Sequence, residues 1–232
     1  MKMSSKFRTV RTGLYVSGLL LSSASQAGLV DIFAFSSFFS PNNTDVYVDT
    51  PLDNYGIGYS DVPYNFVTSF TSALDGDNYG TLQWNIKNNT GSSFTDIQIV
   101  GVLDAVIDFY GDDDYAYNAG NSADSWEIND SYDLAGNFFY YGLALNNSVT
   151  QAFFSHGLAL GFNISEFSHG SILSFTYTLK DNGPGLHLTD HYYTDLYFDG
   201  TYQVPEPGSL LLFTTLLFGA GVSLRRRLKI NS

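Results

Sequence analysis

The chain of 232 residues contains no cysteine, so no disulfide, thiolate metal site or cysteine nucleophile is available to it. Cations are scarce where they would matter most. Lys2, Lys6, Arg8 and Arg11 sit at the start and Arg225, Arg226, Arg227 and Lys229 at the end, which leaves Lys87 and Lys180 for everything between Gly28 and Val204. That stretch holds 22 of the 23 acidic residues; two lysines against 22 carboxylates give a formal charge of −20. A body so acidic repels phosphate backbones and anionic lipid surfaces and attracts divalent cations, which excludes nucleic acid as a partner. Also missing are any clear 20-to-50-residue repeat, a G-x-S-x-G elbow, an H-E-x-x-H pair and a Gly-rich phosphate loop. Between Gly28 and Val204 no helical period lasts ten residues, which argues against a parallel α/β sheet.

What is present begins with "MKMSSKFRTVRTGLYVSGLLLSSASQAG", a basic start, an apolar stretch from about Gly13 to Leu21 and a small-residue exit ending at Ala27. This is the pattern of a secretory signal peptide over residues 1–27, cut by signal peptidase between Ala27 and Gly28. Its apolar core is too short to span hydrocarbon, which needs about 20 residues. At the other end, residues 208–224 carry no charge over 17 positions and run directly into Arg225, Arg226 and Arg227. Seventeen residues are the short limit for a transmembrane helix, the arginines snorkel to make up the deficit, and the positive-inside rule keeps that end in the cytoplasm. Pro205 and Pro207 flank Glu206 just outside the membrane, where their fixed φ and missing N–H groups keep the tripeptide extended and reachable by an enzyme.

The Pro205-Glu206-Pro207 triplet, Gly208-Ser209, the apolar helix and the terminal arginine cluster together resemble the PEP-CTERM sorting signal. The resemblance implies a substrate of exosortase, a membrane-embedded, transpeptidase-like cysteine enzyme, in a Gram-negative bacterium that makes extracellular polysaccharide. It also implies that the helix anchor is temporary and that the protein ends at the cell surface or in the matrix. The sequence lacks LPxTG and the signals of the archaeal and rhomboid-type systems.

Residues 28–204, ahead of the sorting signal at 205–232, alternate as strands do. "TLQWNIKN" sets Leu82, Trp84 and Ile86 against polar neighbours, and "ILSFTYTLK" does the same with Leu173, Phe175, Tyr177 and Leu179. Further strands are predicted at 65–72, 95–102, 126–129, 138–145, 152–162 and 192–202, separated by Asn, Asp, Gly and Ser clusters. The fold class is therefore all-β, an antiparallel β-sandwich of Ig-like or jelly-roll-like type, followed by a single C-terminal transmembrane helix. The segments 82–108 and 158–183 are similar to the strand, turn, strand units of bacterial Ig-like exported modules, with His169-Gly170 where those carry Pro-Gly.

Candidate chemistry is sparse. Asp108, Asp112, Asp113 and Asp114 crowd hard oxygen ligands into seven residues, a candidate Ca²⁺ site, and "DGDN" at 75–78 is a smaller one; a solvated acidic turn is the alternative for both. His187 and His191 are four apart, but in a loop entering a strand, and the four histidines read as exposed loop residues. Paired carboxylates for glycoside hydrolysis are conceivable in so acidic a chain, whose body has Glu127 and Glu166 as its two glutamates. Aromatic clusters "FAFSSFF", "FFYYG" and "HYYTDLYF" suit either saccharide stacking or a sandwich core. The expectation is an exported, non-catalytic surface or matrix protein, associated with polysaccharide and itself a substrate of a sorting enzyme. The alternatives are a Ca²⁺-dependent saccharide-binding module and an unrecognised hydrolase.

Overall fold

A computed structural model describes residues 30–41, 45–53, 58–107, 115–130, 134, 137–138, 142–150, 156–190 and 194–203. The predicted signal peptide, the tail with the helix predicted at 208–224, and residues 108–114 lie outside these residues. Among those described, no helix is long and apolar enough to cross a membrane.

Thirteen strands occur among the described residues. The first seven are β1 (Val30–Ser40), β2 (Tyr47–Asp53), β3 (Tyr59–Ser60), β4 (Phe66–Leu74), β5 (Gly80–Asn88), β6 (Phe94–Ile107) and β7 (Tyr115–Asn118). They are followed by β8 (Ser125–Asp130), β9 (Ser148–Val149), β10 (His156–Phe167), β11 (Ile172–Lys180), β12 (Leu186–Thr189) and β13 (Asp195–Gln203). They form a seven-stranded sheet in the order β3-β2-β1-β6-β10-β8-β9 and a six-stranded sheet in the order β4-β5-β11-β13-β12-β7. Every pairing is antiparallel except β8 with β9. The architecture is thus a two-sheet β-sandwich with more strands than the seven to nine of an Ig domain or the eight of a jelly roll.

Period-2 alternation builds the core. On the six-stranded sheet, Leu82, Trp84 and Ile86 of β5 and Leu173, Phe175, Tyr177 and Leu179 of β11 face inward and are buried. From the seven-stranded sheet, Phe35, Phe39, Ile97, Ile99, Leu103, Leu158, Leu160 and Phe162 meet them. The two strand-turn-strand units both step between sheets: β5 continues into β6, and β10 into β11, across the thickness of the sandwich. The two crossings lie side by side, since β5 pairs with β11 and β6 with β10. Asn88 locks them together. Its Nδ2 donates to the carbonyls of Ser92 (2.8 Å) and Phe167 (2.9 Å), and its Oδ1 accepts from the Thr90 N–H (3.0 Å) and hydroxyl (2.8 Å). Every hydrogen-bonding position of this buried amide is used.

A polar seam runs through the middle of the apolar core. In the seven-stranded sheet Gly101, Ser37 and Asp49 are cross-strand neighbours. Above them stand Trp84, whose Nε1 donates to Asp49 Oδ2 at 2.7 Å, and Tyr177. A Cβ on Gly101 would fall 2.4 Å from the Tyr177 ring, so only glycine leaves room for it. The Tyr177 hydroxyl has no hydrogen-bond partner among the described residues, and burial pushes its pKa far above the ordinary tyrosine value.

One expectation needs correction. Of the strand predicted at 138–145, the described residues are not extended: Phe138 is helical, Gly142 turns the chain at φ 83°, and its N–H bonds the Phe138 carbonyl at 3.2 Å. This apolar segment instead covers the outer face of the seven-stranded sheet, where Leu134, Phe138 and Leu143 pack on Phe38, Val100, Val102 and Ala159. The aromatic run "FAFSSFF" lies in strand β1, and of its two readings the core one holds for Phe35, Phe38 and Phe39, which are buried. Strand β2 accommodates Pro51. Its register against β1 jumps from Ser37↔Asp49 to Phe35↔Leu52, so the proline falls in a bulge where no ladder N–H is required.

Two outcomes follow. Asp49→Ala strands the buried Trp84 N–H without an acceptor and lowers the unfolding free energy in urea titrations by about 1–3 kcal/mol, while Asp49→Asn, which keeps an acceptor, costs less. His156, buried on β10 beside Asp130, titrates below the ordinary histidine range because burial disfavours the imidazolium, an effect that Asp130 opposes. The unfolded chain therefore takes up the proton first as pH falls below about 6.5, and the folded state loses stability there. Thermal unfolding of the wild type should decline from pH 7 to 5.5 relative to His156→Gln; parallel curves would contradict the assignment.

Candidate functional site

Strand β12 lies between β13 and β7, and the register puts Tyr117, His187 and Tyr197 in one row on the outer face of the six-stranded sheet. The His187 ring stacks on Tyr197 at 4.0 Å with an interplanar angle of 8° and meets the edge of Tyr117 at 4.5 Å and 83°. Its Nε2 is 2.7 Å from Asp195 Oδ1. Burial, then the neighbouring Tyr117 and Asp195 and a hydrogen bond with Tyr117, raise the Tyr197 pKa. The His–Asp pair has the form of a general base with its orienting carboxylate. Its chemistry is blocked, because His187 is 3% exposed and its Nδ1 is buried with no hydrogen-bond partner among the described residues. Among the described residues no hydroxyl is positioned on that nitrogen, and the cluster fastens three strands.

This overturns the expectation that the histidines are exposed loop residues. His187 and His156 are buried in strands, and only His169, which accepts the Gly91 N–H at 3.1 Å beside the β10–β11 crossing, is an exposed turn residue; His191 lies outside the described residues. The signal for β12 was present as the alternation Leu186, His187, Leu188, Thr189, with both leucines in the core.

The carboxylates are equally committed. Glu127 and Glu166 do not pair. Glu127 sits opposite Ala159, and Glu166 is seven residues further along β10, about 23 Å away at roughly 3.3 Å per residue. Two-carboxylate glycoside hydrolysis needs about 5–10 Å. Glu166 is exposed and accepts the Ser168 hydroxyl. In the 75–78 turn, Asp75 Oδ1 accepts the N–H groups of Asp77 (3.0 Å) and Tyr79 (2.9 Å), so this carboxylate shapes the β4–β5 hairpin. Asp108, Asp112, Asp113 and Asp114 lie outside the described residues, and among those described no group of three or more His, Asp or Glu is placed to hold a metal.

One carboxylate faces a cleft. Glu127, 4% exposed, lies at the floor of a cavity of about 280 Å³ lined by Leu134, Asn137, Phe138, Gly142, Ala144 and Asn146. Its Oε2 accepts the Asn146 N–H (3.0 Å) and Nδ2 (3.2 Å), and its Oε1 accepts Asn129 Nδ2 at 3.3 Å. No sequence pattern announced this cleft, because Asn146 reaches Glu127 from 19 residues away.

The remaining sequence-derived sites are linear signals outside the described residues: Ala27-Gly28, the Pro205-Glu206-Pro207 triplet and Arg225 to Arg227. Comparison with curated proteins and with solved structures finds no match for the chain. Residues 203–227 match the family model of the PEP-CTERM protein-sorting motif. That motif marks an exported chain whose processing partner is exosortase and whose carboxyl end anchors it transiently in the membrane. A β-rich body precedes the matched segment, and the chain accordingly carries a PEP-CTERM sorting motif at its carboxyl end.

Proposed function

We propose that this protein is a non-catalytic component of the cell surface or extracellular polysaccharide matrix. Signal peptidase releases it at Ala27-Gly28, the 208–224 helix holds it briefly, and exosortase processes the tail at the Pro205-Glu206-Pro207 triplet. The observation that carries this reading is the sorting motif at residues 203–227, joined to a body rich in carboxylates and poor in cations. The absence of catalysis is supported by the use of the polar groups: His187 is covered by two tyrosines, Asp49 holds Trp84, and the two glutamates stand far apart. Asn, Ser and Thr in the turns keep the surface hydrated, which suits residence among polysaccharide chains.

Replacing Pro205, Glu206 and Pro207 with alanines should leave the 17-residue apolar run attached and the protein in the inner-membrane fraction of its host, where the wild type is released. Release of the variant at the normal rate would overturn exosortase processing, and wild-type protein that washes free of isolated matrix polysaccharide would overturn the matrix role. At the other end, Ala27→Arg should block signal peptidase, which needs a small side chain there; an unchanged mature start at Gly28 by mass spectrometry would refute that site.

A further inference from the structure

We infer that the cleft above Glu127 is a binding site for a small organic ligand bearing a primary ammonium group, with Glu127 as its counter-ion. The inference is independent of how the tail is processed. It begins with an unbalanced charge. Glu127 is 4% exposed, and its hydrogen bonds come from the neutral amides of Asn129 and Asn146. The two lysines of the body are on β5 and β11, strands of the opposite sheet, so neither neutralises it. A buried carboxylate held by dipoles alone carries a desolvation penalty that a cation would offset. It also has capacity left: a carboxylate offers about four acceptor positions, and among the described residues three donors occupy this one, Oε1 holding the 3.3 Å contact.

The walls define what that cation is. Leu134 and Phe138 are each 1% exposed, and Phe138 is fixed by its edge contact with Phe38 at 4.8 Å, so this side is apolar and rigid. The rim, formed by Asn137, Ala144 and Asn146, is exposed, so the cleft opens to solvent above a charged floor. A volume of about 280 Å³ lies just below the roughly 300–1,000 Å³ of sites for drug-sized ligands, so the ligand is small. A bare Ca²⁺ takes six to eight oxygen ligands, whereas the lining supplies one carboxylate among carbon and amide groups. An ammonium needs only a few acceptors and tolerates an apolar flank. The −20 charge of the body draws such cations toward the surface from all sides.

The test is a ligand-observed saturation-transfer NMR titration of the full-length chain in detergent micelles at 0.15 M NaCl. The probes are ethanolamine against ethylene glycol, and glucosamine against glucose, which separate a free amine from one carried on a sugar. At least one amine should bind while its uncharged counterpart does not, and excess CaCl₂ should not displace it. Glu127→Gln keeps an acceptor for Asn146 and should weaken binding at least about tenfold. Ala144→Trp, on the exposed rim, should block entry to a similar degree with the unfolding temperature unchanged. If Glu127→Gln does not fold, the rim variant decides alone. Equal binding of amine and uncharged probe, displacement by Ca²⁺, or full binding by either folded variant would overturn the assignment.

Discussion

The body of this protein must accommodate 22 carboxylates with two lysines, and it gives several of them N–H donors. Asp61 accepts the Val48 N–H at 2.6 Å, Asp124 that of Asn163 at 2.7 Å and Asp190 that of Thr194 at 2.7 Å. Asp199 Oδ1 takes the N–H and hydroxyl of Ser122 and the N–H of Gly200. Hydrogen bonds to a charged group contribute about 1.5–3 kcal/mol, more than those between neutral groups. The same groups that repel one another at long range therefore fix the loops at short range. Several join segments far apart in sequence, as with Asp199 and Ser122 or Asp124 and Asn163, and so they set how strands are placed as well as how turns close.

The interior follows the same logic with fewer groups. Asn88 joins both sheet-crossing segments, and the Trp84–Asp49 bond ties one sheet to the other through the centre of the core. An all-apolar interface would tolerate sliding of one sheet over its partner. A directional bond at 2.7 Å, together with a tyrosine seated over Gly101, defines one alignment. A chain without disulfides has here a substitute for a covalent staple, built from ordinary side chains.

What was legible in the sequence had a local cause. Strand β11 was readable from Ile172 to Lys180 because one face is core and the other solvent, which leaves a clean alternation. Strand β1 was missed because a bulge at Phe33 interrupts its alternation and its second half is buried on both faces, so its phenylalanines read as a cluster. Strand β2 was not among the predicted strands, and its proline sits in a bulge. Residues 138–145 have a strand's composition, but the covering role on the outer sheet face and the turn at Gly142 decide their conformation. The tail was the easiest part to recognise, since its chemistry is a linear order of residues, and the match at residues 203–227 agrees with it. The Glu127 cleft is a product of tertiary approach and left no linear trace.

The placing of the two outermost described strands has a mechanical meaning. The first, β1, lies between β2 and β6, and the last, β13, lies between β11 and β12, so neither is an edge strand. Val30 lies at the Asn78 end of the sandwich, and Gln203 pairs with Ser174 toward the other end. Tension drawn through these two strands runs parallel to them and loads four hydrogen-bonded ladders in shear, where many bonds must yield together. Peeling an edge strand would break them one at a time. A body anchored through its carboxyl end is thus arranged to bear load along its strands without unravelling.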